Sequence, residues 1–205
     1  MTLNEITGEI APHGLFVMGS TGTRVLIGTD SQWWGIFGNS SENHDGEKDP
    51  VDRWSKRILN GLANRTGAKA CFPSDGPPYP PFIAWAMETG RFWQSPTGMM
   101  IHDRAGLMIS IRGALEFPAP FPVTQAQTNP CDVCVDKPCR TACPVDALSG
   151  AHDYDVPACK AYLDTPPGGD TCMAEGCSVR RVCPVSQSFD RPDLQSAFHM
   201  KAFRG

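Results

Sequence analysis

The distribution of cysteine is the feature that most constrains this chain. Eight of its nine cysteines lie between Cys131 and Cys183, and only Cys71 lies outside this stretch. The N-terminal residues include neither the basic segment nor the apolar segment of a secretory signal, which predicts a cytoplasmic location. Because cytoplasmic chains rarely keep structural disulfides, cysteines clustered in this way predict metal ligation.

The first four cysteines of the stretch have a spacing that is typical of iron–sulfur proteins. They form the run C-x2-C-x4-C-x3-C-P, from Cys131 to Pro144. Bacterial two-cluster ferredoxins use a similar run with the same Cys-Pro ending, and its fourth cysteine ligates the other cluster. Three cysteines on a tight loop reach three irons of one cubane, whereas a fourth inside the following helix faces the other way.

Eight cysteines at four per cluster account for two [4Fe-4S] clusters with none left over. Two adjacent clusters predict electron transfer, with a redox protein such as a flavodoxin, a ferredoxin or a reductase as the donor. The alternative is zinc, because two four-cysteine zinc sites would also use eight thiolates. Zinc ribbons usually present two C-x2-C pairs, and this chain has one. Crossed ligation predicts one set of Cys131, Cys134, Cys139 and Cys183, and a second set of Cys143, Cys159, Cys172 and Cys177.

Charge and hydropathy argue against two other classes of protein. The 18 basic and 22 acidic residues give a net charge of −4, and no basic tract stands out. Nucleic-acid binding is therefore not expected, since it depends on clustered lysine and arginine. No run approaches the ~18 apolar residues of a membrane-spanning helix, so no membrane partner is expected.

The composition changes near residue 118. The proline-rich residues 118–122 and the polar residues 124–129 predict a connector. We therefore expect an N-terminal domain over residues 1–122 and a cysteine-rich domain over residues 123–205.

Strand and helix signals are mixed along the N-terminal half, which predicts an α+β fold. Asp49 and Pro50 are suited to the cap and first position of a helix. In chain order, the pattern predicts a buried strand over 23–29, a helix over 51–64, a helix over 81–89 that stops at Gly90, and a hairpin of strands 98–101 and 107–115 around the turn 102–106.

Residues 131–184 resemble the ferredoxin-like module of the epoxyqueuosine reductase and corrinoid reductive dehalogenase group. In that group the Cys-Pro run is followed by a lone cysteine on a helix, here Cys159, and by a last set ending in Cys-Pro, here Cys183 and Pro184. This chain departs from the pattern in the x4 gap before Cys139 and in the wider spacing of its last three cysteines. The resemblance implies a bacterial-ferredoxin-like domain with two clusters.

The first half is similar to the cobalamin-processing family that decyanates and dealkylates cobalamin. The matching stretches are residues 49–52, 98–102 and 111–113. The resemblance implies a shortened nitroreductase-like α+β layer that holds a base-off corrinoid, with His102 and Arg112 as polar residues of the pocket.

Several residues have both a functional and an ordinary structural interpretation. Trp33 and Trp34 could stack on a flat macrocycle or flavin, with Trp85 as part of an apolar floor, or they could be core residues. His102 could be a turn histidine and Arg112 a paired strand arginine. Arg180 and Arg181 could stabilise reduced clusters or dock an acidic redox partner, and Cys71 is expected to be a buried apolar cysteine.

The sequence thus predicts a protein with two [4Fe-4S] clusters and leaves its electron acceptor open. In the first hypothesis the N-terminal half holds a corrinoid that receives the electrons, in a reductase-like role. In the second, the protein is a ferredoxin-type carrier without a bound substrate. Epoxyqueuosine reduction on tRNA is disfavoured by the short first half and the missing basic surface.

Overall fold

The structure, a computed structural model, describes residues 1–121 and 125–205. These residues form two compact units. The first is made of Met1–Phe92 and Ser110–Gln127, and the second of Trp93–Ile109 and Thr128–Gly205. The boundary expected between residues 122 and 123 lies outside the described residues. The grouping of Trp93–Ile109 with the cysteine-rich residues differs from the two consecutive segments that the composition suggested.

The strands of the described residues confirm the α+β class. Four of them form an antiparallel sheet in the order β1-β2-β6-β3, and the other two, β4 and β5, pair with each other. The central strand β2 is buried from Val25 to Thr29, as expected for a strand covered on both faces. The bounds are β1 Leu15–Thr21, β2 Arg24–Thr29, β3 Lys69–Cys71, β4 Phe92–Gln94, β5 Met100–His102 and β6 Ile111–Glu116.

The helices of the first unit precede or connect its strands in the sequence. The longest, α4, begins at Pro50 and buries Trp54, Leu59 and Leu62 on one face. It confirms the predicted helix, but the cap prediction is wrong. Asp49 has a left-handed backbone (φ 53°) and makes no side-chain cap hydrogen bond, whereas capping side chains need an extended backbone. The helices are α1 Leu3–Ile10, α2 Trp33–Gly38, α3 Ser41–His44, α4 Pro50–Thr66 and α5 Phe82–Glu88.

The predicted hairpin over residues 98–115 is wrong. Strand β5 pairs with β4, while β6 pairs with β2 and β3. The turn at 102–106 does form, since the amide of His102 donates to the carbonyl of Gly106 and the amide of Gly106 donates back. After this turn the chain enters the sheet of the first unit, where β6 pairs with β2 on one side and β3 on the other.

The second unit consists mainly of short helical segments. Its core contains Ile101, Leu107, Leu148 and Val179 together with two of the cysteines, Cys139 and Cys183. No helix in the described ranges is long and apolar enough to cross a membrane. The α-helices are α6 Pro130–Val133, α7 Val156–Leu163, α8 Pro166–Gly168, α9 Ser178–Arg181, α10 Pro184–Phe189 and α11 Asp193–Arg204, with a 3-10 turn at Pro138–Arg140 and a π-helix at Gly169–Met173. A further 3-10 turn, Ala11–His13, belongs to the first unit.

Candidate metal centres

A cavity of about 490 Å³ in the second unit is lined by four cysteines. Three come from the first run and the fourth comes from much later in the sequence. They are the first set expected from crossed ligation: Cys131, Cys134, Cys139 and Cys183. We call them the first cysteine group.

Local structure explains how the first cysteine group is arranged. The Asn129 side chain caps α6 by accepting the amide of Cys131 at 3.0 Å. Lys137 then takes a left-handed backbone (φ 42°), which turns the chain into the 3-10 segment that carries Cys139. Cys183 immediately precedes Pro184 at the first position of α10, where proline costs no hydrogen bond.

Burial and neighbouring charges affect two thiols of the first cysteine group. Burial, followed by the charges of Cys139, Cys183 and Cys134, raises the pKa of Cys131 to about 11. Burial and the charges of Cys183 and Cys134 also raise the pKa of Cys139. Four such thiolates need positive charge among them, which an iron–sulfur cluster supplies.

The apolar wall of this cavity comes from a segment that sequence reasoning assigned elsewhere. Pro96, Ile101 and Leu107 line the cavity beside the cysteines. Ile101 and Leu107 also belong to the same core cluster as Cys139 and Cys183. The cysteine spacing contains no signal for these residues, because they precede the first run and reach it only through folding.

Hydrogen bonds fix this wall against the last Cys-Pro segment. The amide of Leu107 donates to Ser186 Oγ at 2.9 Å, and Arg180 Nη1 donates to the carbonyl of Leu107 at 2.5 Å. Gly106 has a positive φ of 57°, and a Cβ there would stand 2.4 Å from the amide nitrogen of Ser186. This close approach requires glycine.

The remaining four cysteines are the second set expected from crossed ligation, Cys143, Cys159, Cys172 and Cys177, and we call them the second cysteine group. Burial raises the pKa of the Cys159 thiol, and the charges of Cys143 and Cys172 add to that effect. Burial likewise raises the pKa of Cys177, to which the charge of Cys172 contributes. The charge of Cys172 thus acts on two members of the second expected set, and the charge of Cys143 acts on one of them.

Three members of the second cysteine group lie in or beside defined helical segments. Helix α7 carries Cys159, and the Asp155 carboxylate caps that helix by accepting the amide of Ala158 at 2.9 Å. Cys172 lies in the π-helix, and Cys177 is the residue before α9. A π-helix is a rare geometry that occurs often at functional sites.

The four thiols that line the cavity would supply one ligand for each iron of a cubane. None of the nine cysteines forms a disulfide. In the described parts of the chain, no three His, Cys, Asp or Glu side chains converge where a single metal ion would bind. A cubane differs from such a site, because each cysteine binds a separate iron.

The two arginines between the late cysteines have different surroundings. Arg181 Nη1 forms an ion pair with Glu175 at 2.7 Å, which largely offsets its charge. Backbone hydrogen bonding and the charge of Arg180 both favour the thiolate of Cys177, against the burial that raises the pKa of this thiol. Of the two, Arg180 is therefore the arginine whose charge favours a cysteine thiolate.

His102 is a structural residue of its turn. It is fully buried, and its Nδ1 accepts the amides of Arg104 and Ala105, each at 3.1 Å. Its Nε2 lies 3.1 Å from Asp103 Oδ1. Since the ring is fully buried and its Nδ1 accepts two amides of the turn, the interpretation as a turn histidine is favoured over a pocket residue.

Arg112 lies on β6 of the first unit, whereas His102 belongs to the second unit. Burial lowers the pKa of the Arg112 guanidinium, and the charge of Asp52, 3.9 Å away, opposes this effect. The strands of His102 and Arg112 do not pair, so the two residues are not neighbours on one hairpin. Corrinoid binding itself stays a prediction.

The tryptophans expected to face a macrocycle contribute to packing in the first unit. Trp33 is fully buried and stacks on Phe37 with ring centroids 4.8 Å apart. Its neighbour Trp34 is half-buried and lies 5.8 Å from Phe37, and one face of Trp85 is covered by Arg24 at 4.5 Å. A ring covered on all sides, like that of Trp33, has no face for a ligand.

Cys71 differs from the other eight cysteines. It lies on β3, pairs with Ala114 and is half-buried, somewhat less than expected. Burial raises the pKa of its thiol, and the charge of Glu116 adds to this. An uncharged thiol on a strand of the sheet is the environment of a structural cysteine.

Comparison with known proteins gives no family for this chain. No family model matches it. No curated protein and no solved structure matches it at a significant level.

Proposed function

We propose that this protein is an electron-transfer protein with two [4Fe-4S] clusters, one on each cysteine group. The observation that carries the proposal is the cavity lined by Cys131, Cys134, Cys139 and Cys183. Three residues of one run meet a distant cysteine of a second Cys-Pro segment, which is the ligand pattern of two-cluster ferredoxins.

When bound, a [4Fe-4S] cluster supplies a centre that accepts and donates one electron at a time. The chain's own residues control the surroundings of that centre. Ile101 and Leu107 exclude water from one side of the first cysteine group, because both are almost fully buried. Arg180 offers positive charge beside Cys177, which favours the extra negative charge of a reduced state.

The surroundings of the candidate pocket residues favour the carrier function over the corrinoid function. His102 is engaged in its own turn and Trp33 is enclosed in the core of its unit. We therefore propose that the protein accepts electrons from a redox protein and passes them to another. A corrinoid held by the N-terminal half is the alternative outcome of the test.

The experiment starts from anaerobically reconstituted full-length protein. Its visible charge-transfer absorption should bleach on addition of dithionite and return on addition of an oxidised redox protein. Cobalamin is then added under the same conditions. An unchanged cobalamin spectrum supports the carrier, whereas a base-off spectrum supports the corrinoid function. Absorption that does not bleach would contradict electron transfer of either kind.

A further inference from the structure

The first cysteine group draws its members from two distant parts of the sequence. Cys131, Cys134 and Cys139 lie within one short run, so the chain itself keeps them close together. Cys183 comes from the second Cys-Pro segment, much later in the sequence, and lines the same cavity. Because closing a long loop costs conformational entropy, other contacts must hold Cys183 beside the other three.

The residues three before and three after Cys183 both bind the backbone of Leu107. Ser186 Oγ accepts the amide of Leu107 at 2.9 Å, and Arg180 Nη1 donates to the carbonyl of Leu107 at 2.5 Å. We call these two hydrogen bonds the Leu107 anchor. Leu107 itself lines the cavity and belongs to the same core cluster as Cys183. The anchor therefore joins the wall of the cavity to both sides of one cysteine.

The anchor lies in a closely packed and almost dry environment. Leu107 is 1% exposed and Ser186 is 3% exposed. At Gly106, which has a positive φ, a Cβ would stand 2.4 Å from the amide nitrogen of Ser186. Removing one partner of a buried hydrogen bond leaves the other unpaired, which costs more than losing an exposed hydrogen bond.

The turn that presents Leu107 is held by hydrogen bonds of its own. Two amides of the turn donate to Nδ1 of His102, each at 3.1 Å. On the other side of Leu107, Arg191 Nη1 donates to the carbonyl of Met108 at 3.2 Å. Because the backbone is held on both sides of Leu107, it provides a fixed point against which the segment around Cys183 is placed.

We propose that Ser186 and Arg180 are positioning residues that hold Cys183 on the cluster of the first cysteine group through the Leu107 anchor. This inference rests on the proposed function. Hydrogen bonds around metal ligands orient those ligands and support metal binding. A cubane whose fourth thiolate moves away exposes one iron to solvent, and that iron dissociates. The anchor therefore determines how well the cluster keeps its fourth iron.

The test is oxidation of the anaerobically reconstituted full-length protein with a limiting amount of ferricyanide. A [4Fe-4S]²⁺ cluster that loses one Fe²⁺ ion to solution and one electron to ferricyanide becomes [3Fe-4S]⁺. Electron paramagnetic resonance detects this product, and iron analysis measures the ion released. We expect Ser186→Ala and Arg180→Met each to form it roughly two- to tenfold faster than wild type, since each loses one buried hydrogen bond.

Each of these variants has a matched control on a neighbouring residue. The Ser188 hydroxyl donates to the carbonyl of Pro184, and Arg181 forms an ion pair with Glu175. Ser188→Ala and Arg181→Met should therefore keep the wild-type rate. Ser186→Thr retains a hydroxyl and should restore most of the resistance to iron loss.

A Cys183→Ser background shows whether the anchor acts through Cys183. This background lacks the thiolate that the anchor holds, so adding Ser186→Ala should not speed the conversion further. A further increase in this background would overturn the inference, because Ser186 would then act on another part of the protein. The same background applied to Arg180→Met separates the anchor from an effect of the arginine's charge.

Failure of this inference is distinguishable from failure of the proposed function. Wild-type protein without iron and sulfide refutes the proposed function, and this inference with it. Variants that hold both clusters and convert at the wild-type rate overturn the inference alone. If Ser186→Ala does not fold, Arg180→Met carries the test, since it removes the hydrogen bond at the other end of the Leu107 anchor.

Discussion

The two units of this protein differ in what fills their cores. In the first unit, aliphatic and aromatic side chains such as Leu26, Trp33 and Trp54 are buried around a four-stranded sheet. In the second unit, the core cluster includes Cys139 and Cys183, and short helical segments replace the sheet. The first unit is thus stabilised by apolar burial, whereas under the proposed function the second unit also depends on the clusters that its cysteines hold.

The largest expected effect is therefore that of removing the clusters. Chelation with mild oxidation should abolish most amide protection in the second unit, because metal binding there contributes folding free energy. Strands β1, β2 and β6 should keep their protection. Hydrogen exchange measured by mass spectrometry reads both units in one sample.

The same exchange experiment can contradict the proposed difference between the two units. Equal loss of protection in both units would show that they unfold together. Full amide protection of the second unit after iron removal would show that its apolar contacts suffice to keep it folded.

Single cysteine variants should affect one cluster each. Cys183→Ser should damage the cluster of the first cysteine group, and Cys143→Ser that of the second, although Cys143 lies within the first run. Spectra of the reduced variants and their iron contents measure this. Cys71→Ser, on the sheet of the first unit, is the control and should leave the iron content unchanged. Loss of the same cluster in both ligand variants would reject crossed ligation.

Two buried leucines provide a matched pair, one in each unit. Leu59 is 0% exposed and Leu107 is 1% exposed. Replacing either by alanine should cost about 2–5 kcal/mol of its own unit's stability, because a cavity is left. Leu59→Ala should keep both clusters.

Leu107→Ala, in contrast, removes part of the wall of the first cysteine group. We expect the cluster of that group to be lost faster in air than in wild type, which absorbance decay measures. Equal decay in the two leucine variants would mean that the wall does not protect the cluster.

A smaller effect is expected from an ion pair of the first unit. Hydrogen bonds from Arg57 to the buried carboxylate of Glu42 lower its pKa to about 2. Since the folded pKa lies below the unfolded value of about 4.3, the stabilisation is full above roughly pH 5 and disappears as the pH falls towards 2. Hydrogen exchange in α4 should show a loss of about 1–3 kcal/mol over this range.

Glu42→Gln should remove this pH dependence and leave the iron content at pH 7 unchanged. The exposed pair Arg65 and Glu9 is the control, and Glu9→Gln should change stability by less than about 0.5 kcal/mol. A pH profile that is the same in wild type and Glu42→Gln would rule out this pair as its cause.

Local sequence signals predicted much of the first unit. A local pattern of apolar residues predicts an element directly from the sequence. Such patterns predicted the strand at Arg24–Thr29 and the helix at Pro50–Thr66. The pairing of β5 with β4 was not predicted, because β4 has only three residues and these are too few to show an alternating pattern. Strand pairing also joins residues that are distant in the sequence, so a local pattern does not show it.

Spacing was likewise enough to single out the four cysteines that line one cavity, whereas the second set stays a prediction. The residues around them could not be predicted in the same way. Leu107, for example, reaches the first cysteine group only through the fold. No motif marks such contacts, since they depend on tertiary packing.

The most direct test of the account is the iron and acid-labile sulfide content of the anaerobically purified or reconstituted full-length chain. Two [4Fe-4S] clusters predict about eight irons and about eight sulfides per chain, with Mössbauer spectra of cubane clusters. A chain that instead holds about two zinc ions and no sulfide would contradict the central claim.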